Sequence, residues 1–178
     1  KCVSLIKNKN ARLLEPSCGN GAFDCCMHNN SVFVEIDANV ITNDNVLNID
    51  FFDYPITEKF DTIIGNPPYV DNKFLNIKHK TNIKVQANLY LDFIEKCFYH
   101  LKNNVELIFI VPRDFIKLTS AKIVNELLYT TNSTGEPSPQ FTLATLSSND
   151  NKVLVPIGFN DVFKNDSVIF NSNIIVLS

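Results

Sequence analysis

The chain has 178 residues, 45% of them hydrophobic and 20% charged, and carries a net charge of −3. That is enough for one domain with a proper core, too little for two, and the wrong balance for a disordered chain. No apolar run approaches the roughly 20 residues that span a bilayer, and the negative charge argues against a domain that grips nucleic acid by charge alone.

The chain begins at Lys1 with no signal-peptide pattern, as expected of a processed chain or a piece of a longer protein. Its five cysteines, Cys2, Cys18, Cys25, Cys26 and Cys97, are odd in number and show no CxxC ligand spacing. They read as reduced thiols of a cytoplasmic protein, with no metal site.

Residues 12–14 form the first expected strand, closed by Glu-Pro, and a glycine-bearing turn and a short helix follow. Residues 32–36, 46–49 and 62–65 read as the second, third and fourth strands. Over residues 86–101 the apolar positions Leu89, Phe93, Ile94, Cys97, Phe98 and Leu101 recur at helical spacing. Residues 105–111 make a fifth strand, buried on both faces although Glu106 interrupts it. Residues 114–129 read as a second amphipathic helix, and 132–139 as a Ser/Thr/Gly/Pro loop. Residues 141–146 and 153–157 suit a hairpin or an insertion, and 167–177 one or two last strands. Alternating elements of this kind imply an α/β domain whose mostly parallel central sheet is flanked by helices. Residues 1–178 then form a single domain, with 130–158 as an insertion or variable loop.

Two constellations fall at strand ends. The first is Glu15-Pro16-Ser17-Cys18-Gly19-Asn20-Gly21-Ala22-Phe23, which spends two of the chain's five glycines in one turn. Glycine lets a backbone turn tightly and approach a ligand where a Cβ would collide. The spacing is not GxGxxG, so a dinucleotide cradle fits poorly. Glu35-Ile36-Asp37 ends the second strand and Asp50-Phe51 follows the third. Such carboxylates can accept from ribose hydroxyls or an exocyclic amine while an aromatic ring packs on a purine. Taken singly, each element is also an ordinary turn or helix cap. Their order along one sheet favours a nucleoside-bearing cofactor.

The second is Asn66-Pro67-Pro68-Tyr69, which closes the fourth strand. Consecutive prolines stiffen the backbone and remove two N–H donors. The Asn66 side-chain oxygen and the Pro67 carbonyl can then accept both hydrogens of one planar amine, freeing its lone pair. Tyr69 can stack on the ring that bears the amine, and a base inside a duplex must flip out to reach such a pocket. A rigid turn with a tyrosine covering the core is the plainer alternative.

Residues 13–23 and Asn66-Pro67-Pro68-Tyr69 together resemble the γ-class, Taq-type N6-adenine DNA methyltransferases of restriction–modification systems. The likeness runs from about residue 11 to 129, includes 88–93 and 107–113, and resumes near Phe159. It implies a Rossmann-like S-adenosylmethionine-dependent methyltransferase fold. By this resemblance Glu15, Pro16, Ser17, Cys18, Gly19 and Gly21 hold the methionine end of S-adenosyl-L-methionine. Glu35 binds the ribose, Ile36 lies against the adenine, Asp50 accepts from its amine, and Phe51 and Phe93 pack about that ring. Asn66 and Pro67 take the target amine, with Pro68 completing the catalytic run, and Tyr69 stacks on the flipped adenine. Phe163 is a second aromatic contact or a core residue. Glu15 and Asn66 stand 51 positions apart (residues 15 and 66), which leaves no room for a recognition domain between them. This is the γ order, in which recognition follows the catalytic part.

The implied partners are double-stranded DNA, a target-recognition domain or subunit and a cognate nuclease, and no membrane. Lys73, Lys78, His79, Lys80 and Lys84 follow Tyr69 and suit either DNA phosphates or an ordinary surface loop. Departures from the pattern are the short segment before residue 11, the missing recognition domain and the unlike stretch 130–158. An RNA adenine methyltransferase, a protein-glutamine methyltransferase and a non-catalytic module of the same fold are the rival readings. The glutamine-modifying group carries a different cofactor loop from the Glu-Pro-Ser-Cys-Gly-Asn-Gly found here.

Overall fold

The protein is described from a computed structural model, which places residues 2–7, 9–75, 86–111, 143–145 and 174–177. The expected helix over 114–129, the loop 132–139 and the strand 153–157 lie outside the described residues.

Seven strands form one sheet in the order β3-β2-β1-β4-β5-β7-β6. They are β1 (Leu13–Glu15), β2 (Ser31–Glu35), β3 (Val46–Asn48), β4 (Phe60–Gly65), β5 (Leu101–Ile110), β6 (Leu143–Thr145) and β7 (Ile174–Leu177). The first five are parallel, with Leu14 beside Val32 on one flank and Ile63 on the other. β7 runs antiparallel to both β5 and β6, so β6 joins the sheet through β7 rather than through a hairpin of its own.

Neighbouring residues point to opposite faces of a strand, and both faces here are packed. Leu14, Ile63, Leu107 and Phe109 meet the helix α1 (Leu89–His100) and the aromatic turn Phe51–Asp53. Leu13, Ile64 and Ile108 meet Cys2, Ile6, Phe23 and Cys26 on the other side. This second face explains the acid inside the apolar run of β5. Glu106 is buried and accepts from Lys7 N at 3.1 Å and Thr62 Oγ1 at 3.1 Å, tying the first residues to the sheet.

The helix begins three residues later than its apolar periodicity suggests. Asn88 is its N-cap and accepts from Tyr90 N at 3.3 Å. Ahead of it, Asn72 N donates to Ala87 O at 3.0 Å and Leu89 N to Val70 O at 2.8 Å. The buried Asp92 carboxylate receives Asn72 Nδ2 at 2.7 Å and Gln86 N at 2.8 Å. The segment after the Asn-Pro-Pro-Tyr tip is thereby clamped to the start of α1. The short helix expected after the glycine turn is one 3-10 turn, Asp24–Cys26. All five cysteines are free thiols.

The strand order reverses at β1, whose neighbours β2 and β4 continue the sheet in opposite directions. In open α/β sheets a crevice opens outside the carboxyl ends of the strands at such a switch point.

Candidate active site

The crevice is present. A cavity of about 450 Å³ is lined by Pro16 and Ser17 after β1, Glu35 and Ile36 at the end of β2, and Asp50, Phe51 and Phe52 after β3. Asn66 and Pro68 after β4 close it together with Leu75, Leu89 and Phe93. The glycine turn's strand and the Asn-Pro-Pro-Tyr tip thus share one chamber.

Around the first loop, Glu35 organises the backbone. Its two oxygens accept from Gly19 N at 2.8 Å and Asp37 N at 2.9 Å. Gly19 has φ +54° and open space where a Cβ would point, so its left-handed backbone and not a neighbouring atom favours glycine there. Gly21 differs. At φ +89° it sits where L side chains rarely go, and an added Cβ would also strike the Asp24 carboxylate at 2.4 Å, so the turn itself already favours glycine here. Cys18 is buried off the cavity, and burial with the nearby Glu15, Glu35 and Asp24 charges pushes its thiol up to about 12. It stays a neutral thiol.

Glu15 lies beneath the floor, fully buried. One carboxyl oxygen accepts from Ser17 N at 3.1 Å, and the other has no partner among the described residues. Burial holds its pKa well above the ordinary carboxyl range, and the Glu35 and Asp24 charges add to this. Ser17 Oγ is likewise buried without a partner. The unsatisfied Ser17 Oγ belongs to a lining residue, and the unsatisfied Glu15 oxygen is buried outside the lining. Unpaired buried groups are costly, and the polar tail of an amino-acid-bearing cofactor fits the Ser17 end.

The other end fits a nucleoside. Asp50 caps the Phe51–Asp53 turn with one oxygen, accepting from Phe52 N at 2.8 Å. Phe51 and Phe93 stack with centroids 5.2 Å apart at 24°. Ile36 stands 66% exposed beside them, an isoleucine that the fold itself leaves uncovered. S-adenosylmethionine combines these two ends, and the residues present fit it.

Sequence reasoning missed four contributors. Phe52, Leu75 and Leu89 line the chamber from outside the motifs. Lys96 is fully buried and donates to Phe51 O at 2.5 Å and Tyr54 O at 2.8 Å, with its ammonium 4.8 Å from the Phe51 ring centroid. Desolvation pulls its pKa down to about 8. A helix lysine at i+3 from Phe93 was the available signal, although nothing local marked it as buried.

Asn66 is exposed and Pro67 buried. Tyr69 is half-exposed, with its ring edge-on to Tyr90 at 5.8 Å and 86°. Its hydroxyl reaches Asn66 Oδ1 at 2.9 Å and Ile110 O at 2.7 Å, and burial raises its pKa to about 12. Lys73 pairs with Asp71 at 2.8 Å and lies over the exposed Phe74 ring. Lys78, Lys80 and Phe163 fall outside the described residues. Among the described residues no helix is long and apolar enough to cross a membrane.

Residues 6–135 match the family described as Eco57I restriction-modification methylase. The type II methyltransferase M.HincII of Haemophilus influenzae is 36% identical over 143 residues, 72% of this chain and 28% of that relative. The chain therefore spans less than a third of that relative's length. Among solved structures, the type I restriction-modification methyltransferase subunit of Streptococcus thermophilus superposes with TM-score 0.57 at 16% identity. The match covers 99% of this chain and 41% of that one. A putative methyltransferase of Streptococcus mutans, solved with SAH, gives TM-score 0.52 at 14% identity over 99% of this chain and 92% of that one. The fold is the Rossmann-like one of S-adenosylmethionine-dependent methyltransferases.

Proposed function

The chain belongs to the Eco57I restriction-modification methylase family, and from that premise we propose that it methylates the N6 amino group of an adenine flipped out of double-stranded DNA. The observation that carries this reading is the shared chamber: Asn66 and Pro68 line the same cavity as Pro16, Ser17, Glu35, Asp50 and Phe51.

Glu15 and Ser17 would hold the methionine end of S-adenosyl-L-methionine, with Glu35 at the ribose. Asp50, Ile36, Phe51 and Phe93 would hold the adenine. Bound there, the cofactor supplies an electrophilic methyl group. Asn66 and the Pro67 carbonyl accept the two hydrogens of the target amine, and this localises the nitrogen lone pair. The same two oxygens meet the positive charge that develops on that nitrogen, where preorganised dipoles act most strongly. No side-chain base has to act before attack, since the amine loses its proton only after becoming cationic. The chain's main contribution is to position the two partners, an effect worth up to roughly 7–11 kcal/mol in favourable systems. Tyr69 stacks on the extruded base and recovers part of the few kcal/mol that flipping costs. Phe163 and the lysines at 73, 78 and 80 extend the DNA contact, and a recognition module and a cognate nuclease complete a restriction–modification system.

Labelled cofactor supplied to the protein with duplex DNA, followed by digestion to nucleosides, tests this. Label in N6-methyladenine supports the reading. Label found only in RNA or in a peptide glutamine reassigns the acceptor, and bound cofactor with no transfer to any of these refutes catalysis.

A further inference from the structure

We infer that the Tyr69 hydroxyl fixes which way the Asn66 amide faces, holding its NH2 group inward and turning its oxygen to the target amine. This rests on the function proposed above and assigns Tyr69 a second task beyond stacking.

The argument is a count of hydrogens. Tyr69 Oη lies 2.7 Å from Ile110 O and 2.9 Å from the Asn66 atom placed as Oδ1. A phenol carries one hydrogen, and the Ile110 carbonyl can only accept. With an amide oxygen on the second side, two acceptors would compete for that hydrogen and one short O···O contact would go unbonded. Both contacts become hydrogen bonds if Tyr69 donates to Ile110 O and accepts from Asn66 Nδ2. The two ends of an asparagine amide are related by a half-turn, and the surrounding hydrogen bonds decide which is which.

The hydroxyl stays protonated, because burial raises its pKa to about 12. The anchor is rigid: Ile110 ends the strand beside β4, and Phe109 pairs with Gly65 at the base of the Asn-Pro-Pro-Tyr tip. The Tyr69 ring is braced edge-on against Tyr90. Asn66 is exposed and lines the cavity, so the other terminus of its amide is open to a ligand. That terminus is the one an incoming amine meets. An oxygen there accepts, whereas an NH2 would set donor against donor.

Tyr69→Phe keeps the ring and removes the link. The expected result is a kcat for adenine methylation lower by about tenfold, the scale of one hydrogen bond. The KM for DNA, the cofactor Kd and the emission of a 2-aminopurine placed at the target stay within about twofold, since stacking is untouched. A merely structural tyrosine would not split kcat from KM in this way. Wild-type turnover in Tyr69→Phe overturns the inference. A second readout needs no activity: the side-chain NH2 resonances of Asn66, identified by their loss in Asn66→Asp. One of its hydrogens is expected to exchange slowly in the wild type and to shift in Tyr69→Phe. Unmoved resonances overturn the inference even in an inactive protein, while absent methyl transfer with shifted resonances overturns only the proposed reaction.

Discussion

Replacing Gly65 with alanine probes the joint between the two halves of the site. Gly65 ends β4, and a Cβ built there would lie 2.9 Å from Glu15 Oε1, 3.0 Å from Phe109 Cε1 and 3.4 Å from Pro16 Cδ. The first contact is closer than a real Cβ comes, so the Glu15 carboxyl must shift, and the second is tight enough that the Phe109 ring must give by a few tenths of an ångström. Glu15 is fully buried and Phe109 is 1% exposed in the core. Moving the Glu15 carboxyl stretches its bond from Ser17 N. Overpacking costs about 1–3 kcal/mol, and losing a buried hydrogen bond adds about 1 kcal/mol. For a chain of this size a total of roughly 2–4 kcal/mol lowers Tm by about 5–15 °C. Because Pro16 and Ser17 line the chamber, cofactor affinity falls as well. Differential scanning fluorimetry and calorimetric titration of the cofactor measure both effects. An alanine variant with wild-type Tm and wild-type affinity would refute the packing of the β4 tip against the first loop.

Ile36→Ser removes an apolar group that is already 66% exposed, so stability changes by less than about 0.5 kcal/mol. If the side chain is covered only by the bound nucleoside, cofactor Kd rises by about ten- to a hundredfold; equal affinity by titration contradicts that contact. His100 is fully buried with Nδ1 2.8 Å from Glu58 O, and burial lowers its pKa from 6.5 to about 4. The unfolded chain therefore takes up a proton first, and stability conferred by the neutral imidazole is lost as pH falls from 6.5 toward 4. His100→Phe should lose about 2–3 kcal/mol less than the wild type between pH 7 and 4.5, read from denaturant midpoints. Parallel losses in the two proteins would show that His100 does not stay neutral in the fold.

What could be read from the sequence was what is encoded locally. The Glu-Pro turn with its glycines and the Asn-Pro-Pro-Tyr run announce themselves through backbone chemistry, and both lie where strand periodicity put them. The C-terminal edge of the sheet was harder. β7 inserts between β5 and β6 by pairing Ile174–Leu177 with residues far away in the chain, and no short window holds that information. β5 begins at Leu101, four residues earlier than its apolar run, because Phe60 pairs with Leu101 across an irregular register. Near the site, the buried Lys96 carried no local signal, since lysines mostly sit on surfaces. Leu75 and Leu89 enter the chamber because the Asn72–Gln86–Asp92 clamp brings the segment after Tyr69 against the helix. Gly21 adds a local reason to the one its motif suggested: its backbone at φ +89° and the adjacent Asp24 side chain both favour glycine.

The most direct test of the central claim is Asn66→Ala, assayed side by side for cofactor binding and for methyl transfer to adenine in duplex DNA. Loss of one preorganised group facing developing charge costs about 100- to 1000-fold in rate, so the account predicts transfer falling by at least about that factor, with cofactor Kd within about twofold of wild type. Transfer to N6 at the wild-type rate in this variant would contradict it.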